Sequence, residues 1–355
     1  MSKIKYFKFG DNFQLESGNI LPGFRLAYQT FGELNEDRSN AVWIVHALTA
    51  NSDPTEWWPG VVGEGCAIDP NKHFIICANS LGSHYGSSNP LDVDPRSGES
   101  FYHDFPQFTN RDVTNAFILL KDYLGLRKIN TLVGASLGGQ QALEWLIKEP
   151  YLFDQSILIA TNAKHSPWGI AFNESQRIAI EADQTWCLRR DDAGMHGLKA
   201  ARAMALISYR TAKGYNTTQA DTNQKIDNYA AASYQQYQGR KLIERFNAFS
   251  YWHLSKAMDS HDIGRNRGGI EAALSRVQAK TTVIGVESDI LFPTSEQRLI
   301  ADNILDSTYY EIESNLGHDG FLTESLKIAD IISTVIDNPE YTIPIYNTYQ
   351  TRTAS

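Results

Sequence analysis

Gly134-Ala135-Ser136-Leu137-Gly138 follows an apolar, β-prone run, Ile129 to Val133, and precedes a helix-like stretch from about Gly139 to Lys148. It is the one G-x-S-x-G in the chain. A serine between two glycines at a strand-to-helix switch can be held on a sharp, strained turn. The glycines leave room for the tight backbone, and the hydroxyl projects from the top of the sheet. Serine is a poor nucleophile until geometry and a base activate it. Taken alone, the pentapeptide also reads as a glycine-rich turn holding a polar residue, so its surroundings decide.

Activation requires a histidine to take the proton and a carboxylate to orient that histidine. At a strand–serine–helix turn these partners follow in the order Asp or Glu, then His. Downstream, the β-prone run Lys280 to Glu287 leads into Ser288-Asp289-Ile290-Leu291-Phe292-Pro293. Asp289 thus falls just past the C-terminal end of a strand, the sheet edge where α/β sites lie. Glu287 competes but sits within or at the end of the strand. A second alternating run, Ser307 to Glu313, enters Ser314-Asn315-Leu316-Gly317-His318-Asp319-Gly320, which puts His318 in a glycine-flanked loop at the same edge. Of the nine histidines, His46, His84 and His103 all precede Ser136 and break the order, although His46 is expected close to the site. The reading is Ser136 as nucleophile, His318 as base and Asp289 as its orienting carboxylate. The complete set in order argues against a scaffold carrying a relic site.

The oxyanion formed by attack on a carbonyl needs two backbone N–H donors. One is expected from Leu137, directly after the nucleophile. The other is expected from the loop His46 to Ala50 that follows the strand Ala41 to Val45, with Leu48 as the donor and Ala47 or Thr49 as alternatives.

Composition narrows the function classes. The 355 residues carry a net charge of −9, which argues against a nucleic-acid surface while allowing a local basic pocket. A hydrophobic share of 42% supports a sizeable core. Cys66, Cys77 and Cys187 are scattered without C-x-x-C spacing, so neither a metal site nor a disulfide framework is expected. The N-terminus lacks an apolar signal region, and no stretch reaches about 18 uninterrupted apolar residues. A cytoplasmic protein without membrane attachment is the expectation.

Strands are expected at Gly23–Thr30, Ala41–Val45, His73–Cys77, Ile129–Val133 and Gln155–Ala160, with helical spacing over Arg111–Leu124. Strands alternating with helices imply a mostly parallel sheet flanked by helices. From about Pro167 to Arg276 strand-like runs vanish, and Leu198 to Tyr209 and Tyr229 to Ala257 read as amphipathic helices. The expected organisation is an α/β core formed by 1–166 and 277–355, with 167–276 inserted as a helical lid over the strand ends.

Several segments carry a resemblance: His46-Ala47-Leu48-Thr49, Asn110-Arg111-Asp112, Gly134 to Trp145, Ala201-Arg202 with Tyr209-Arg210, Tyr237-Gln238-Gly239, Ser288 to Pro293, and Gly317 to Leu322. In these, from Gly23 to roughly Val335, the chain resembles the homoserine O-acyltransferase family of α/β-hydrolase enzymes. The resemblance implies an α/β-hydrolase fold and a ping-pong transfer from an acyl-CoA through an acyl-Ser136 to L-homoserine, in methionine biosynthesis. O-acetyl transfer is the first expectation. It also implies Arg202 as the holder of the amino acid's carboxylate, Tyr209 as an assisting group and Asp319 as the holder of its amine. A fork-shaped cation for the carboxylate and an anion for the ammonium suit a zwitterion. No permanently bound cofactor or metal is implied; acetyl-CoA, or succinyl-CoA, is the donor substrate, and a homodimer through the lid helices is the expected assembly. The chain departs from the family's usual pattern at Asn79 to Pro90, at Leu137, at Gln140 and at Gly320, near the acyl pocket. Succinyl transfer, L-serine as acceptor, and a serine esterase or thioesterase therefore stay as alternatives.

Overall fold

The central strands are short apolar runs buried on both faces, which only a sheet covered by helices on each side can satisfy. In the computed structural model, residues 2–336 and the strand Arg352–Thr353 are described, so most of the expected core segment beyond 336 lies outside the described residues. The strands are β1 (Lys5–Gln14), β2 (Ile20–Phe31), β3 (Ala41–Val45), β4 (Phe74–Ala78), β5 (Ile129–Ala135), β6 (Phe153–Ile159), β7 (Lys280–Val286), β8 (Ser307–Ile312) and β9 (Arg352–Thr353). They form one sheet in the order β1-β2-β4-β3-β5-β6-β7-β8-β9. Neighbours from β4 across to β8 pair in parallel, while β1–β2, β2–β4 and β8–β9 pair antiparallel.

Alternate residues of each strand enter opposite cores. Trp43, Val45, Leu132 and Leu158 pack on one face, and Val42, Ile44, Val133 and Ile157 on the other. The helices preceding the insertion are α1 (Pro54–Trp57), α2 (Asn110–Tyr123) and α3 (Leu137–Lys148). The capping box that starts α2 has Thr109 N–H donating to the Asp112 carboxylate at 2.8 Å.

Between β6 and β7 lie six helices: α4 (Pro167–Glu181), α5 (Met195–Tyr209), α6 (Ala212–Thr218), α7 (Ala230–Ile243), α8 (Ala248–Asp259) and α9 (Ile270–Leu274). The chain then closes through α10 (Thr294–Asn303), α11 (Gly320–Thr323) and α12 (Ser325–Ile336).

The sequence reading differs from this fold in three places. β1 was not anticipated, because its alternation is interrupted at Gly10-Asp11 by a register shift between Phe9 and Asn12. The helix expected from Gly139 starts two residues earlier, at Leu137, so the elbow turns directly into α3. The stretch Tyr229–Ala257, expected to be helical, is divided at Glu244–Asn247, where the Asn247 side chain accepts from Ser250 N–H at 2.7 Å and starts α8 afresh.

Chain order moves from β3 outward to β4 and then back across to β5, so the sheet's switch point lies between β3 and β5. Ligand crevices form at the carboxyl ends of strands at such a point. The β3 exit carries His46 to Leu48, and the β5 exit carries Ser136.

Candidate active site

Ser136 has φ 55° and ψ −124°, a left-handed region that a non-glycine residue occupies only under constraint. The constraint is visible. Its N–H donates to the Ile159 carbonyl at 2.9 Å, and its own carbonyl accepts from the Thr161 hydroxyl at 2.9 Å and from Gly139 N–H at 3.0 Å. The turn also requires close backbone approach. A Cβ on Gly138 would sit 2.1 Å from the Val45 carbonyl oxygen, so the start of α3 lies directly against the β3 exit.

His318 lies in a single 3-10 turn, Gly317–Asp319, within the glycine-flanked loop expected after β8. Its Nδ1 is 2.7 Å from Asp289 Oδ2, and its Nε2 is 2.9 Å from Ser136 Oγ. A carboxylate accepts, so Nδ1 carries the proton and Nε2 is left to accept from the serine hydroxyl. The other oxygen of Asp289, Oδ1, accepts from Leu291 N–H at 2.8 Å and Phe292 N–H at 2.9 Å. The carboxylate is thereby fixed in direction. The imidazole stacks on Phe292 with 5.0 Å between ring centroids and meets the edge of Phe321. All three side chains are buried, with Ser136 at 6% exposure. Glu287, the rival carboxylate, stands past β7 with its N–H on the Ile312 carbonyl, outside this chain of contacts.

A cavity of about 480 Å³ opens on Ser136 and His318. Arg202, Tyr209, Asp319 and the loop residue Leu48 all line it. Among the described residues, the Leu48 N–H donates to no protein acceptor, and Leu137, as the first residue of α3, has no intrahelical acceptor for its N–H, which leaves both available. The Arg202 guanidinium lies over the Tyr209 ring at 5.6 Å, and the Tyr209 ring packs 5.7 Å from that of His318. Burial pushes the Tyr209 hydroxyl's pKa up, so it stays protonated.

Three features escaped the sequence reading. Asp319 is paired with Arg210 Nε at 2.8 Å, and because that N–H is not aimed along the contact the pairing is Coulombic. Arg245, in the break between α7 and α8, lines the cavity and donates to the Thr49 carbonyl at 2.6 Å and to the Tyr85 hydroxyl. Lys241 adds a further cation to the wall. No local pattern marks these residues, because each acts across the boundary between the insertion and the sheet edge. His84 and His103 lie away from the triad, His84 on Asn247 and His103 against Trp186 and Phe249.

Asn110-Arg111-Asp112 proves architectural. Asn110 donates to Gln140 on α3 at 3.0 Å, and Arg111 joins Glu144, Glu16 and the carbonyls of Asp262 and Arg265. The helix behind the nucleophile is thus tied to both the first hairpin and the chain returning from the insertion.

Known proteins resemble this chain along most of its length. A profile of the α/β hydrolase fold family matches residues 40–325. A homoserine O-acetyltransferase of Cyclobacterium marinum is 49% identical over 90% of this chain and 91% of its own. The crystal structure of homoserine O-acetyltransferase from Bacillus anthracis superposes with a TM-score of 0.89 at 25% identity, covering 95% of this chain and 98% of that one. An acetylester hydrolase from Corynebacterium glutamicum has the same fold, with a TM-score of 0.85 at 24% identity over 95% of this chain and 96% of its own. With a family match across most of its length and relatives this close, the chain belongs to the α/β hydrolase fold family and, within it, to the homoserine O-acetyltransferases.

Proposed function

We propose that the protein transfers an acetyl group from acetyl-CoA to the hydroxyl of L-homoserine through an acyl-Ser136 intermediate, supplying methionine biosynthesis in the cytoplasm. The observation that carries this reading is one cavity holding Ser136 and His318 together with a fork-shaped cation, Arg202, and an anion, Asp319. A simple ester needs neither charge, whereas an amino acid needs both. The names of the relatives favour acetyl as the group and homoserine as the acceptor.

The steps follow from the hydrogen bonds. Ser136 Oγ attacks the thioester carbonyl as its proton passes to His318 Nε2, and Asp289 stabilises the imidazolium. The N–H groups of Leu48 and Leu137 hold the oxyanion. Collapse breaks the C–S bond, and the departing thiolate takes the proton from His318. L-homoserine then enters with its carboxylate at Arg202 and its ammonium at Asp319, whose Oδ2 already faces Arg210. Its hydroxyl gives a proton to Nε2 and attacks the ester carbonyl. The second tetrahedral species expels Ser136, which recovers the proton, and O-acetyl-L-homoserine leaves. No resident cofactor or metal enters these steps. The helices α4 to α9 serve as a lid that keeps water from the acyl-serine.

The test is to follow free thiol release from acetyl-CoA or succinyl-CoA with L-homoserine, with L-serine, and with no acceptor, for the wild type and Ser136→Ala. Homoserine-dependent release with acetyl-CoA, absent in the variant, is the expected outcome. Release that ignores the acceptor would replace the transferase with a thioesterase. We further propose a homodimer through the lid helices, where Met204, Ile207 and Tyr237 are exposed. Light scattering is expected to give twice the chain mass of 39.8 kDa, and a single chain mass would refute it.

A further inference from the structure

His46 stands at the end of β3, two residues before Leu48, and its ring is buried at 1% exposure. Two contacts fix it. Ser80 N–H donates to Nε2 at 3.1 Å, and Nδ1 lies 2.8 Å from the Ala47 carbonyl oxygen. A backbone N–H only donates and a carbonyl only accepts, so Nε2 is bare and Nδ1 carries the proton. Burial also pushes the ring's pKa down to about 4, which keeps it neutral. The same Ala47 carbonyl accepts from Ala50 N–H at 3.0 Å.

The Ala47 C=O and the Leu48 N–H belong to one planar trans peptide and point in opposite directions. Two donors on the oxygen therefore also set the direction of the N–H. Ala47 and Leu48 both line the cavity that Ser136 opens into. On the far side of the elbow, Gly138 packs against the Val45 and His46 carbonyls, which holds the Leu137 donor in register with this loop. We infer that His46 is a positioning residue for the oxyanion hole, its Nδ1–H clamping the Ala47–Leu48 peptide so that the Leu48 N–H is presented to the developing oxyanion. The inference rests on the acyl-serine reading above. Oxyanion donors help because they are already aimed when charge develops; a peptide free to rotate must be reoriented during the reaction. Ser80 belongs to the segment that follows β4, so that segment also holds the clamp from behind.

The test compares His46→Ala, His46→Asn and His46→Gln by nitrophenol release from p-nitrophenyl acetate and by affinity for an alkylboronic acid, which forms a tetrahedral adduct on serine. Asparagine places a donor near Nδ1, whereas glutamine reaches the Ser80 side. The expected result for alanine is a fall in kcat of about 10- to 100-fold with KM little changed, somewhat less than the loss of a whole donor. Boronate affinity falls in step, asparagine restores much of both, and glutamine does not. In the unmodified protein, a nitrogen NMR spectrum of the histidine rings should show His46 protonated on Nδ1. Unchanged kcat and boronate affinity in His46→Ala, rescue by glutamine in place of asparagine, or a proton on Nε2 would each overturn the assignment. A wild type that releases nitrophenol through Ser136 and binds the boronate keeps the acyl-serine reading in force whatever His46 does. A wild type that does neither removes that reading, and the assignment with it.

Discussion

At Ser136 a strained φ, three backbone anchors and a 2.9 Å contact to His318 coincide. Strain of this kind costs about 1–3 kcal/mol and persists only where the surroundings overdetermine it. The triad was legible because each member sits beside a local signal: glycines around the serine, a strand end before Asp289, and Gly317 before His318. The partner of Asp319 was not legible. The Arg210–Asp319 pair joins the end of α5 to the turn after β8, and neither segment announces the other. That pair sharpens a prediction for the proposed acceptor half-reaction. Arg202→Ala and Asp319→Asn are each expected to raise the KM for L-homoserine by about 10- to 100-fold, the loss of one charge-assisted hydrogen bond. Nitrophenol release from p-nitrophenyl acetate, which needs no amino acid, should stay within a few-fold of wild type. Equal damage to both reactions would show that these residues support the triad and do not bind the acceptor.

Among the elements, the contact between α3 and β3 does most to place the site. Gly138 leaves no room for a side chain beside the Val45 carbonyl, so Gly138→Ala must push α3 away from the β3 exit. The expected cost is about 1–3 kcal/mol, as for other overpacked sites, with a loss of activity larger than the loss of stability because Leu137 and Leu48 move apart. Thermal unfolding set beside kcat checks this, and full activity at a lowered melting temperature would contradict it. The insertion meets the sheet edge at Arg245, through Thr49 and Tyr85, and at Gly317, where a Cβ would lie 2.9 Å from the Tyr209 carbonyl. Arg245→Ala removes the first of these ties and is expected to raise hydrolysis of acetyl-CoA several-fold relative to transfer, as thiol release without acceptor would report. An unchanged ratio would show that this tie takes no part in excluding water. The insertion's helical character was readable from composition, but the break between α7 and α8 was not. It follows from a cap at Asn247 and from the outward reach of Arg245, and both depend on what lies across the cavity. β1 was hidden for a related reason. It is a half-exposed edge strand whose hydrophobic alternation is interrupted by a bulge, whereas the central strands are buried on both faces and read as plain apolar runs.

Across the whole molecule, no helix among the described residues is long and apolar enough to cross a membrane, and the two faces of the sheet are both filled. Burying so much surface also encloses several histidines. His165, His253 and His261 are buried, and desolvation is the largest cause lowering each to about 3 from an ordinary value of 6.5. His46 is held at about 4 by the same cause. In the unfolded chain these rings take up protons as pH falls below about 6.5, while in the folded protein they stay neutral until pH nears 4 or below. The unfolded state therefore binds more protons across that window, and stability falls as pH is lowered through it. Each ring contributes a slope approaching about 1.4 kcal/mol per pH unit once the unfolded form is fully protonated. Asp112, Asp259 and Glu296 act in the opposite sense, since burial raises them above the usual carboxylate range. Comparing a variant with its parent at each pH cancels that opposing contribution. His253 is the best position, because its ring stacks on Phe108 and its Nδ1 has no hydrogen-bond partner among the described residues. His253→Phe should keep the packing, remove one titrating group and flatten the loss of stability between pH 6 and 5 by about one proton's worth, roughly 1 kcal/mol. Urea unfolding at a fixed protein concentration, repeated across that range, measures it. Parallel curves for variant and parent would mean that His253 already takes up its proton in the folded protein.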